Sequence, residues 1–118
     1  MNKLETYKQY RTNLNQIQGG NRCGSHVNCV RLNSHSTKKH EETKFIVCWI
    51  LLQEGYDFIT EGIWLSGLRA DVFDIQRNIA FEILCSETEA ECDLKGYPVP
   101  IIKVKAGMSY EEIKKLIL

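Results

Sequence analysis

The chain has no apolar stretch long enough to cross a bilayer. The longest, Phe45 to Leu52, is eight residues, against the roughly 18 that a span requires. Near the N-terminus there is no apolar core of the kind a secretory leader carries, since MNKLETYKQYRTNLNQ is polar throughout. No membrane partner and a cytoplasmic location are the expectations. Internal repeats are absent, which sets aside solenoids and propellers. Acids are nearly missing from the first 39 residues: Glu5 stands against Lys3, Lys8, Arg11, Arg22, Arg31, Lys38 and Lys39. The whole chain is neutral, so the net +6 of this segment leaves −6 on the remainder. A basic segment on an acidic body fits a polyanion partner, and a solvated basic tail fits equally well. An even cysteine set is missing too. Five cysteines, Cys23, Cys29, Cys48, Cys85 and Cys92, without a leader read as free thiols and not as a disulfide framework.

What is present suffices for one domain. A chain of 118 residues buries one modest core and not two. Leu4, Tyr7, Leu14 and Ile17 are spaced for a weak amphipathic helix, which Gly19 and Gly20 would stop. Asn21 to Ser36, rich in Asn, Ser and Gly, reads as loop. Ser36 or Thr37 can cap a helix that runs to Glu54 and ends at Gly55, with Glu41 and Glu42 at the positive end of its dipole. Its middle, FIVCWILL, is apolar all round and predicts broad burial, with Cys48 and Trp49 in the core. Strands are predicted at Tyr56 to Trp64, Arg69 to Ile75 and Ile79 to Cys85. Their short spacings favour an antiparallel meander. A helix from Glu87 to Lys95 then leads to a strand from Val99 to Val104, paired through a crossover. Ser109 and Glu112 form a capping box before a last helix with Ile113, Leu116 and Ile117 buried. The predicted class is α/β, with a mixed central sheet flanked by helices in the order αβββαβα.

Two carboxylates carry the chemistry. Asp71 lies among the apolar residues of the second strand and Glu82 among those of the third, where desolvation is costly without a cation or donors. On adjacent strands they would form a hard-oxygen site for Mg²⁺ or Mn²⁺. Such an ion can polarise a phosphodiester oxygen and activate water. The competing reading pairs one acid with Arg69 or Arg77 and turns the other to solvent.

An αβββαβ core with Asp on its second strand and Glu on its third resembles the PD-(D/E)XK nuclease superfamily, with a restriction-endonuclease-like core. The segments RADVFDI from Arg69 and FEILCSE from Phe81 resemble small archaeal and viral members. The resemblance covers residues 38–118, leaving residues 1–37 as a basic arm and loop. It implies a metal-dependent nuclease acting on DNA, with Asp71 and Glu82 as catalytic metal ligands. It further implies auxiliary acids at Glu41 or Glu42 and at Glu61, and pairing of two copies into a homodimer. The family's lysine position, two residues after the Glu, holds Leu84, and Lys95 on the next helix is the candidate replacement. The alternative is a fold that has lost catalysis and serves as a nucleic-acid-binding or protein-interaction module.

Weaker signals remain. Cys23, His26 and Cys29 form a C-x₂-H-x₂-C cluster that could hold zinc as a structural adaptor, although ordinary loop thiols are the commoner case. His40 can serve as a general base or face solvent at the helix start. Lys103, Lys105, Lys114 and Lys115 form a solvated face or a phosphate-tracking surface.

Overall fold

Asn2 caps the first helix, α1 (Lys3–Leu14), by accepting the Glu5 N–H. The computed structural model describes residues 2–17 and 26–118; the Gly19–Gly20 stop and Cys23 lie outside the described residues. Thr37 caps α2 (Lys38–Gln53), and Gly55 follows its end with φ +78°, a left-handed conformation that glycine adopts without a Cβ penalty. Three strands succeed it: β1 (Phe58–Thr60), β2 (Val72–Asp74) and β3 (Ile79–Leu84). Then come α3 (Glu89–Asp93), β4 (Ile101–Lys105) and α4 (Tyr110–Ile117). The capping box on α4 is complete, with Ser109 and Glu112 exchanging bonds to each other's N–H.

The chain folds as an α/β domain around one mixed sheet of four strands in the order β1-β2-β3-β4. The β1/β2 and β2/β3 pairs are antiparallel, and β3/β4 is parallel, closed by the crossover through α3. Alternation along the strands divides the core in two. Phe58, Val72, Phe81, Ile83 and Val104 meet α2 and α4 through Val47, Leu51, Ile113 and Ile117. On the other face Ile59, Phe73 and Ala80 pack with Trp64 and Val99, and with Leu14 and Ile17 at the end of α1. Residues 1–37 are therefore not all peripheral. Asn28 also exchanges backbone and side-chain bonds with Phe58, and Thr60 bonds the segment from Cys29 to Arg31 along the β1 edge.

Three expectations are corrected. The α2 helix is not buried all round. Phe45 is 52% exposed and Trp49 46% exposed, and they stack on each other at 6.2 Å; one face of α2, beside α4, suffices to cover its side of so small a sheet. Leu116 is half exposed beside the buried Ile113 and Ile117. The first strand is much shorter than Tyr56 to Trp64, because Glu61 takes φ +55° and interrupts the extended run. Beyond it, among the described residues, only single bridges remain, Ile63 to Arg69 and Ile17 to Trp64.

Candidate active site

The β2/β3 ladder ends at the Val72–Phe81 pair. One step further stand Asp71 and Glu82, and there side chains replace the main-chain bonds. The Asp71 N–H donates to Glu82 Oε1 at 3.1 Å, and the Ile83 N–H donates to Asp71 Oδ2 at 2.8 Å. Interior backbone donors need acceptors, and each carboxylate satisfies one on the opposite strand. The exchange brings the two acids together where the strands part. Asp71 thus sits just before β2 and not within it.

Glu82 is buried, and its carboxyl is pushed up to about 8 by burial and then by the neighbouring Asp71 charge. The Tyr97 hydroxyl approaches it, and burial together with the Glu82 charge raises that phenol as well. Tyr97 is itself held edge-on against Trp64 at 5.6 Å. Across from Asp71 lies His40, in the first turn of α2. Its Nε2 is 3.4 Å from Asp71 Oδ2 and its Nδ1 is 2.9 Å from Glu41 Oε2. The bond to Asp71, with help from Glu41, lifts this imidazole to about 9 against the opposing effect of burial. His40 therefore does not face solvent. It is a cation at neutral pH that ties α2 to the carboxylate pair.

A second cation extends the cluster. Lys44 is 0% exposed, and its ammonium donates to Glu41 Oε1 at 2.9 Å, Glu61 Oε1 at 3.1 Å and the Arg31 carbonyl at 2.6 Å. All three of its protons are used. Burial pushes the Glu41 carboxyl up, but the Asn33 N–H, Lys44 and His40 together outweigh it and hold it below the usual range. Acids and cations thus run Glu82, Asp71, His40, Glu41, Lys44, Glu61 across α2, the end of β1 and the parting strands. Helical spacing puts Lys44 three residues after Glu41 on one face, and that is the only local trace Lys44 leaves in the sequence.

The other predicted site residues fall elsewhere. Glu42 points away, with its side chain 61% exposed and its carboxylate 3.6 Å from Lys38. Neither Arg69 nor Arg77 pairs with Asp71; Arg77 binds Asp74 at 2.7 Å. The Lys95 amine is bonded to Glu87 at 2.7 Å, and its charge reaches Glu82 from there. Leu84 is buried in the sheet. Of the zinc candidates, Cys23 lies outside the described residues, while the Cys29 N–H bonds the His26 carbonyl in a tight turn. Lys103 is engaged by Asp93 at 2.6 Å.

Among the described residues no three His, Cys, Asp or Glu side chains form a ready-made metal cage. Mg²⁺ does not need one, since it keeps much of its water and accepts one or two carboxylates. The fit rests on Glu82. A buried carboxyl set beside a second carboxylate resists ionisation, and a shared divalent cation relieves both burial and repulsion. No protein-family model, curated protein or solved structure matches the chain.

Proposed function

We propose that the chain is a metal-dependent nuclease domain of the PD-(D/E)XK type that hydrolyses phosphodiester bonds in DNA. The observation that carries this reading is the crossed Asp71–Glu82 pair at the parting of β2 and β3, beneath the start of α2. Asp71 and Glu82 would hold Mg²⁺ or Mn²⁺, with water completing the shell. A cation held there supplies Lewis-acid polarisation of a phosphodiester oxygen and acidifies water. His40 fixes the Asp71 carboxylate from the α2 side, and the Tyr97 hydroxyl orients Glu82 from the other. Lys95 is the replacement for the lysine that Leu84 cannot supply, stabilising the negative charge that builds on the phosphoryl oxygens. Glu41 and Glu61, bound by Lys44, are supports and not direct ligands.

One observation favours the non-catalytic alternative. Lys95 is engaged by Glu87 and not by the Asp71–Glu82 pair. A cleavage assay decides between the two. Labelled single-stranded, duplex and branched DNA are incubated with Mg²⁺ or Mn²⁺ and wild-type protein, Asp71→Ala or Lys95→Ala. Cleavage by wild type that both variants lose supports the enzyme, and no cleavage of any substrate leaves the binding module.

A further inference from the structure

We infer that Arg31 and Arg69 form a seat for a phosphate of the DNA backbone beside the carboxylate cluster; this deepens, and rests on, the nuclease reading above. The two residues line a concave pocket of about 260 Å³ together with Asn33, Ser34 and Glu61. Among the described residues neither guanidinium has an ion-pair partner. Other cations at the cluster are already bound: Lys44 and His40 to its acids, and Lys95 to Glu87.

The backbones that carry the two arginines are fixed to the site. Arg31 donates its N–H to Thr60 Oγ1 at 2.9 Å and accepts from Lys44 at 2.6 Å, so it is one hydrogen bond from the ammonium that holds Glu41 and Glu61. Arg69 bridges Ile63, and the next residue, Ala70, bonds the Gly62 carbonyl at 3.0 Å. Asp71 follows two positions later, roughly 7 Å along extended chain. Lys44 offsets the charge of Glu61, the one acid in the pocket. Two arginines lining one concavity, each with a planar fork of donors, suit the oxygens of a phosphodiester. A strand whose scissile phosphate lies at Asp71 and Glu82 would thus place a neighbouring phosphate between Arg31 and Arg69.

The test measures binding apart from catalysis. A fluorescein-labelled DNA duplex is titrated in EDTA, by anisotropy and over a range of salt, with wild type, Arg31→Gln/Arg69→Gln and the charge-keeping control Arg31→Lys/Arg69→Lys. Both arginines are exposed, so the fold survives their replacement. The arginine-to-glutamine variant is expected to bind at least about tenfold more weakly, with a salt slope shallower by about two, while the lysine control keeps the salt slope of wild type. Equal affinity of the arginine-to-glutamine variant and wild type overturns the inference, as does a salt slope that falls as far in the lysine control. In a separate arm, inorganic phosphate that stabilises wild type but not the arginine variant, with DNA affinity equal in both, shows a seat for free phosphate and also overturns it. Stabilisation by Mn²⁺, measured on the same proteins, keeps the two ideas apart: its absence in wild type sinks the metal site while the anisotropy still judges the pocket.

Discussion

Replacing Lys44 by methionine is the perturbation whose cost the structure sets most sharply. Methionine keeps the length of the side chain and removes the charge. Three acceptors inside the protein lose their donor at once: Glu41 Oε1, Glu61 Oε1 and the Arg31 carbonyl. Removing one partner of a buried ion pair costs roughly 3–5 kcal/mol, a large part of the roughly 5–15 kcal/mol that holds a domain folded. At the usual unfolding entropy per residue this lowers the melting temperature by roughly 12–20 °C. The loss depends on pH with a definite sign. Glu41 titrates below its unfolded value, so its stabilising contribution is present above about 4.5 and fades as pH falls through the folded pKa. The gap between wild type and Lys44→Met is therefore widest at neutral pH and narrows in acid. Urea titration followed by tryptophan fluorescence reads it, since Trp64 is buried. Adding Glu41→Gln and Glu61→Gln to Lys44→Met should recover part of the loss, because no charge is then left unpaired. A loss under about 1 kcal/mol at neutral pH, or one that is the same in acid, would refute the reasoning.

Above the acid range in which Glu41 titrates, wild-type stability should fall as pH rises. Glu82 and His40 both hold their protons more tightly folded than unfolded, so their contributions are full below 4.5 and 6.5 and are lost as pH passes about 8 and about 9. The fall is steepest between the unfolded value of His40 and the folded value of Glu82, at up to about 2.7 kcal/mol per pH unit for two protons; Glu82→Gln should flatten its acid side, and a level wild-type profile in urea would contradict both assignments. Leu14 and Ile17 are core residues, so the basic arm is better neutralised than deleted. Lys3→Gln/Lys8→Gln/Arg11→Gln should flatten the salt dependence of DNA binding by up to about three in slope, and an unchanged slope would make the arm a solvated surface. If two copies pair, the stacked Phe45 and Trp49 are the exposed apolar face that pairing would cover; sedimentation velocity should show a wild-type dimer that Phe45→Ser/Trp49→Ser dissociates, and a wild type that stays monomeric would exclude it.

Local signals make much of the architecture legible. The Thr37 cap, the Gly55 stop and the Ser109–Glu112 box act within a few residues, and each marks a helix end in the structure. Short polar turns between apolar runs mark the meander, and two acids within those runs mark the place where Asp71 and Glu82 meet. What stays hidden depends on distant contacts. Lys44 reads as the last of seven polar residues that open α2, because two of its three partners lie 13 and 17 residues away at Arg31 and Glu61. His40 reads as a solvent-facing helix start until Asp71 is folded against it. The exposed side of α2 is illegible for the opposite reason: Phe45 and Trp49 look like core, and only the size of the sheet beneath decides which apolar face is covered. Strand lengths are lost where Glu61 turns left-handed, a backbone choice with no mark in its side chain.

A crystal soaked in Mn²⁺ and measured at the manganese edge tests most directly whether Asp71 and Glu82 share a cation. The predicted result is one anomalous peak between the two carboxylates, with oxygens at about 2.1 Å, and none in Asp71→Ala. No peak at that position in wild type, with His40 still bonded to Asp71 and Glu82 still bonded to the Asp71 N–H, would contradict the metal-dependent reading.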